Sequence, residues 1–170
     1  MNDDFASLFQ YHRDADLRFL DACRKLSAEQ YAEPEPFEKG WPSIRSIVVH
    51  LAGGNDIWAR RLLGESPMSR PTEADLPSLD SASALLMDAH DRFANPILPA
   101  MTPERLASAW TYRNCSGVTF TTPLWAVLRH LVNHGTYHRG QLASKLSRKG
   151  ITPPVTDLVY WVVESTPQPN

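Results

Sequence analysis

The amino-acid sequence predicts an all-α fold: a four-helix bundle with a small hairpin-like insertion before the last long helix. Three observations lead there. Four long segments repeat apolar residues at steps of three and four. Pro, Ser and Gly punctuate the ends of those segments. Strand-like sequence is confined to one short stretch, 106–122. A chain of 170 residues suits one domain, 1–170, and 42% hydrophobic residues suffice for a core without disulfides.

The first helix is expected from about Phe5 to Leu26, where Phe5, Leu8, Phe9, Leu17, Phe19, Leu20 and Cys23 form one face. Ser27 can cap a short turn through Gln30. The second helix opens at Trp41-Pro42-Ser43 and runs through Ile44, Ile47, Val48, Leu51 and Trp58 to Gly64. Gly53-Gly54 in its middle costs helix propensity, and implies either a kink or a close approach. Residues 65–80 carry Pro67, Pro71 and Pro77 and read as a loop. The third helix follows from Ser81 to about Ala94 and is limited by Pro96. Two strand-like runs, 109–113 and 117–121, flank a turn at Asn114-Cys115-Ser116. The fourth helix opens at Thr122-Pro123 and runs to about Lys149, with Gly150 as its stop. A last apolar segment spans Leu158 to Val163.

Charge argues against a nucleic-acid partner, because 17 basic and 19 acidic residues leave a net charge of -2. Cys23 and Cys115 are far apart and lack the spacing of a thiolate zinc site. Acidic residues follow Met1 where a leader peptide needs positive charge, and no apolar run reaches membrane length, so a cytoplasmic protein without a membrane partner is expected.

The chemistry is expected at the histidines. His130, His134 and His138 succeed one another at steps of four on the last helix. Residues four apart share a helix face, so an adjacent pair can hold one ion. All three cannot, because the outer two lie about 12 Å apart along the axis. Leu124, Leu128, Leu131, Leu142 and Leu146 mark the core stripe. On a helical wheel His138 falls about 20° from Leu131, His134 about 60° and His130 about 100°. His134 and His138 are therefore the expected pair. Gly135 stands where a zinc protease would carry its glutamate. A third ligand is needed from a facing helix, and His50 borders the apolar face of the second. His12 and His90 read as lying on the polar sides of their helices.

The run from Leu128 to Gln141, with its HxxxHRGQ segment, resembles the last-helix signature of the DinB-like family of damage-inducible four-helix-bundle metalloproteins. Trp41-Pro42-Ser43-Ile44 leading to His50 and Trp58, and the tail from Pro153-Pro154 to Asp157-Leu158, resemble that family in the same order. The resemblance covers nearly the whole chain. It implies an up-down-down-up bundle, often a homodimer, and one divalent metal ion held by His50, His134 and His138. It also implies kinship with transferases that use a small-molecule thiol on an electrophilic substrate.

Three neutral imidazoles leave an ion its full charge and an open position, the arrangement of a catalytic site. Such an ion can activate a water or a thiol. Zinc and nickel are the expected ions, and imidazole also suits iron and copper. Asn55, Asp56 and Gln141 are candidates to hydrogen-bond the ligand rings. Arg139 reads either as a salt bridge or as a holder of an anionic substrate, and Tyr137 as packing. Trp41, Trp58, Trp110 and Tyr112 read as core or subunit contacts that can also line a pocket mouth. The expected function is a metal-dependent enzyme, either a thiol transferase or a hydrolase. The alternatives are a metal-binding or sensing module, and a bundle with purely structural histidines.

Overall fold

The computed structural model describes residues 2–36 and 40–166. In chain order it contains α1 (Asn2–Cys23), α2 (Ala28–Ala32), α3 (Ile44–Leu62), α4 (Leu79–Arg92), α5 (Pro103–Ala107), β1 (Ala109–Arg113), β2 (Thr119–Pro123), α6 (Leu124–Arg148) and α7 (Leu158–Ser165). The fold is an all-α helical bundle with one two-stranded sheet.

Side-chain pairings fix the helix directions. Phe5 meets Arg129 and His12 meets Arg139, so α1 and α6 run parallel. Phe9 meets Phe93 and Asp16 meets His90, so α4 opposes α1. His50 meets His138 while Trp58 meets His130, so α3 opposes α6. The order is up-down-down-up. Because α3 and α4 point the same way, the chain must cross back between them. Residues 63–78 make that crossing, and bring Pro71 against α3 at Gly53, where a Cβ would lie 3.2 Å from Pro71 Cδ. The glycine pair thus serves a close approach.

Serine caps begin several helices. The side chains of Ser27, Ser43 and Ser78 each accept from the backbone N–H three residues on, and the backbone N–H of each serine donates in return to the side chain of that same residue, Gln30, Ser46 or Ser81. After α4 the chain kinks at Asn95 (φ -146°, ψ 119°). The hairpin pairs Ala109 with Pro123 and Arg113 with Thr119, two residues later on the second strand than its sequence suggests. Asn114 Oδ1 accepts from the N–H groups of Ser116 and Val118, and Gly117 takes φ +80°. These bonds hold 114–118 as a loop, so the strand begins at Thr119 and runs directly into α6.

The core lies in two apolar parts. One gathers Phe19, Cys23, Ile47, Leu51, Leu86, Leu142 and Leu146. The other gathers Phe5, Phe9, Ala59, Phe93, Leu124, Leu128 and Leu131. On every long helix a polar level separates them: His12 and Asp16 on α1, His50 and Asn55 on α3, His90 on α4, and His134 to Arg139 on α6. Among the described residues no helix is long and apolar enough to cross a membrane.

Candidate metal centre

The cap at Ser43 starts α3 so that His50, two turns in, faces α6. On α6 the step of four sets His134 above His138. One ligand nitrogen from each of His50, His134 and His138 lies within 4.8 Å of the others. His50 Nε2 and His134 Nε2 are 3.0 Å apart. Bonds of about 2.0–2.1 Å to one tetrahedral ion would separate neighbouring nitrogens by about 3.3 Å. The three rings therefore fit a single small divalent ion.

Behind the rings, His138 Nδ1 donates to Gln141 Oε1 at 2.7 Å. That bond fixes the proton on Nδ1 and leaves the Nε2 lone pair free for an ion. Gln141 Nε2 in turn donates to the Tyr137 hydroxyl at 3.3 Å. Trp41 stacks on His50 at 4.0 Å and closes that side. Gly54 leaves room for His134, whose Cε1 would lie 3.5 Å from an added Cβ. His138 is buried at 3% exposure, whereas His50 and His134 are half-buried and form the open side. The crossing loop places Arg70 near both of these rings, and a cavity of about 220 Å³ lies between His50, Trp41 and Arg70–Glu73.

His130 stands one turn before His134, exposed, with its ring 5.5 Å away and outside the group of three. Of the polar candidates, Gln141 touches a ligand ring. Asn55 donates to Leu51 O, and Asp56 pairs with Arg92 at 2.7 Å.

His12 and His90 depart from the sequence expectation: both are buried, not on polar faces. The α1 face reads Phe5, Phe9, His12, Asp16, Phe19, Cys23, an unbroken helical stripe. His90 likewise follows Leu86 by four and precedes Phe93 by three. The flanking polar residues obscured this spacing, which was the available signal. His90 Nε2 donates to Asp16 Oδ2 at 2.9 Å, and Arg139 Nη1 donates to Asp16 Oδ1 at 2.7 Å and to His12 Nδ1 at 2.9 Å. Arg139 is thus an interhelix salt bridge, turned away from the three-histidine opening. His12, Asp16 and His90 are close enough to hold an ion. The Arg139 guanidinium already occupies the cation position there. Gly135 is required beside this group, since an added Cβ would fall 2.2 Å from His12 Cε1.

Burial is the largest cause of the low ring basicity, and it pushes His12 and His50 down to about 3 and His134 to about 4. Neighbouring rings and Arg70 add to it at His50 and His134. His138 is also lowered by burial, against the opposing effect of Gln141. Burial alone would raise the Asp16 carboxyl, but His12, His90 and Arg139 hold it well below the usual range. Below the ordinary value of 6.5 the unfolded chain takes up protons on these rings that the folded chain refuses. The stabilisation is complete above that value and is lost as pH falls toward about 4. The urea midpoint of metal-free protein should therefore drop between about pH 7.5 and about pH 5, before ordinary carboxylates titrate. An unchanged midpoint would contradict the buried neutral rings.

The sequence profile described as the DinB family matches residues 1–168. The chain belongs to the DinB family. It is also similar to a curated relative, Protein DinB of Bacillus subtilis (strain 168), at 26% identity over 164 residues, covering 91% of each chain. In this DinB-family chain the helical bundle and the histidine cluster stand together with that kinship.

Proposed function

We propose that His50, His134 and His138 bind one divalent ion, zinc or nickel, and that the protein is a metal-dependent enzyme acting on small molecules. The expected cosubstrate is a low-molecular-weight thiol, with an electrophile as the second substrate. The observation that carries this reading is the convergence of three imidazole nitrogens from two helices, with Gln141 fixing one tautomer and an open side at His50 and His134. An ion bound by neutral ligands supplies Lewis-acid chemistry, lowering the pKa of a thiol or of water. The residues of the chain supply the remainder. The low basicity of the rings keeps their lone pairs free of protons at neutral pH. Trp41 covers one side of His50 against water. Arg70 adds positive charge at the rim, which favours an anionic thiolate. The cytoplasmic, homodimeric state belongs to the same reading, and the exposed Val159, Tyr160, Val162 and Val163 of α7 offer apolar surface for a second copy.

Elemental analysis of untagged protein, purified without a metal column, is expected to find about one zinc or nickel per chain. The loaded protein should then consume a cellular thiol in the presence of an electrophile. Absence of metal, with none taken up at micromolar zinc or nickel, would overturn the site. Bound metal with no turnover across a broad panel would reduce the proposal to a binding module.

A further inference from the structure

We propose that Arg61 is the anion-binding end of a strip of aromatic side chains that starts at the three histidines, so that the site takes an extended small thiol carrying a carboxylate at its far end. The inference deepens the proposed function and rests on it.

Arg61 lies in the last turn of α3 at 7% exposure. Buried cations normally have counter-ions, because desolvating a charge is costly. The other buried cations of this bundle obey the rule: Arg139 has Asp16, and Lys145 has Glu35 at 3.4 Å. Arg61 has no carboxylate partner among the described residues. Its Nη2 reaches Cys115 Sγ at 3.7 Å, and its buried Nε has no hydrogen-bond partner. Its Cζ lies 5.1 Å from the Trp58 ring centre and 5.4 Å from that of Tyr112. Cation–π contact offsets part of the burial cost but leaves the buried Nε–H without an acceptor. A carboxylate is the group this environment lacks.

The aromatic side chains connect Arg61 to the histidines. Trp58 lies 5.8 Å from His130, and His130 lies 5.5 Å from His134, ring to ring. Trp110 and Tyr112 of β1 stack at 5.2 Å beside Trp58 and continue the wall. Trp58 is eight residues beyond His50, about 12 Å along the axis. Helical side chains lean toward the N-terminus, which brings the Arg61 guanidinium back to the level of Trp58. A ligand with its sulfur at the histidines and its carboxylate at Arg61 must therefore be extended, with an apolar middle against the rings.

The test uses full-length cobalt-loaded protein and two probes of equal length, 8-mercaptooctanoate and 8-mercaptooctanol. The thiolate-to-cobalt absorption band reports sulfur binding in both cases. Wild type should bind the acid about tenfold or more tightly than the alcohol. Arg61→Met should erase that preference while leaving the alcohol's affinity and the cobalt content unchanged. Arg61→Lys should keep part of it, and guards against a folding failure in the first variant. Equal binding of acid and alcohol by wild type would overturn the inference, as would a preference that survives in Arg61→Met. With cobalt bound, either result accompanied by a normal band would leave the metal site standing. Absence of the band with both thiols would overturn the metal-thiol reading and this inference with it.

Discussion

Replacing Asp16 with alanine is expected to lower the unfolding free energy by about 3–5 kcal/mol, the cost of breaking a buried ion pair from one side. Asp16 and Arg139 are each only 2% exposed, and His12 and His90 are packed against them. Removing the carboxylate strands the guanidinium without another carboxylate on it among the described residues and frees the His90 Nε2 donor. Urea unfolding with an unchanged m value would measure the loss. The double variant Asp16→Ala/Arg139→Ala should be less impaired than the sum of the two single changes, because neither charge is then left alone. A loss below about 1 kcal/mol for Asp16→Ala would mean that the layer is solvated in solution and that the burial argument fails. The effect should extend to the histidine site, since Gly135 and Arg139 bracket His138 on α6 and lock that helix to α1.

The second large effect is expected at His138. His138→Ala should abolish stoichiometric metal binding while the helical circular dichroism signal is retained, because two remaining imidazoles seldom hold an ion tightly. Gln141→Ala should be milder, weakening affinity about 10–100-fold, since it releases the His138 tautomer and orientation without removing a ligand. Competition against a chelator of known affinity would rank wild type, Gln141→Ala and His138→Ala in that order. One equivalent of metal persisting in His138→Ala would exclude this ring from the site. His130→Ala serves as the internal control. Its ring lies outside the group of three, so metal content should be unchanged.

Much of the bundle was legible because helix periodicity is a local property. The four long helices, the serine caps at Ser27 and Ser43, and the hairpin before the last helix all follow from residues within one or two turns of each other. The wheel positions of His130, His134 and His138 match their exposed, half-buried and buried states, because Leu131 and Leu142 on the same helix set the reference. The second strand starts two residues later than its sequence pattern suggests because one side chain, Asn114, captures two backbone donors and lengthens the turn. His12 and His90 are buried although polar residues flank them, because neighbours in the sequence do not reveal what faces a residue across the bundle.

The helical class, the inward pair on α6 and His50 as the facing candidate can all be read from local spacing, since spacing along one helix dictates which side chains share a face. Which polar groups on different helices meet at one level depends on how the helices pack. Burying Asp16 or His90 is tolerable because partners arrive from α1, α4 and α6 together, and that compensation is distributed over more than 120 positions of chain. The same holds at the histidines. The 3.0 Å approach of His50 to His134 joins residues 84 positions apart, and comes from the antiparallel packing of α3 on α6. Periodicity supplies the faces of the helices, and close packing with the demand for buried hydrogen bonds decides how those faces combine.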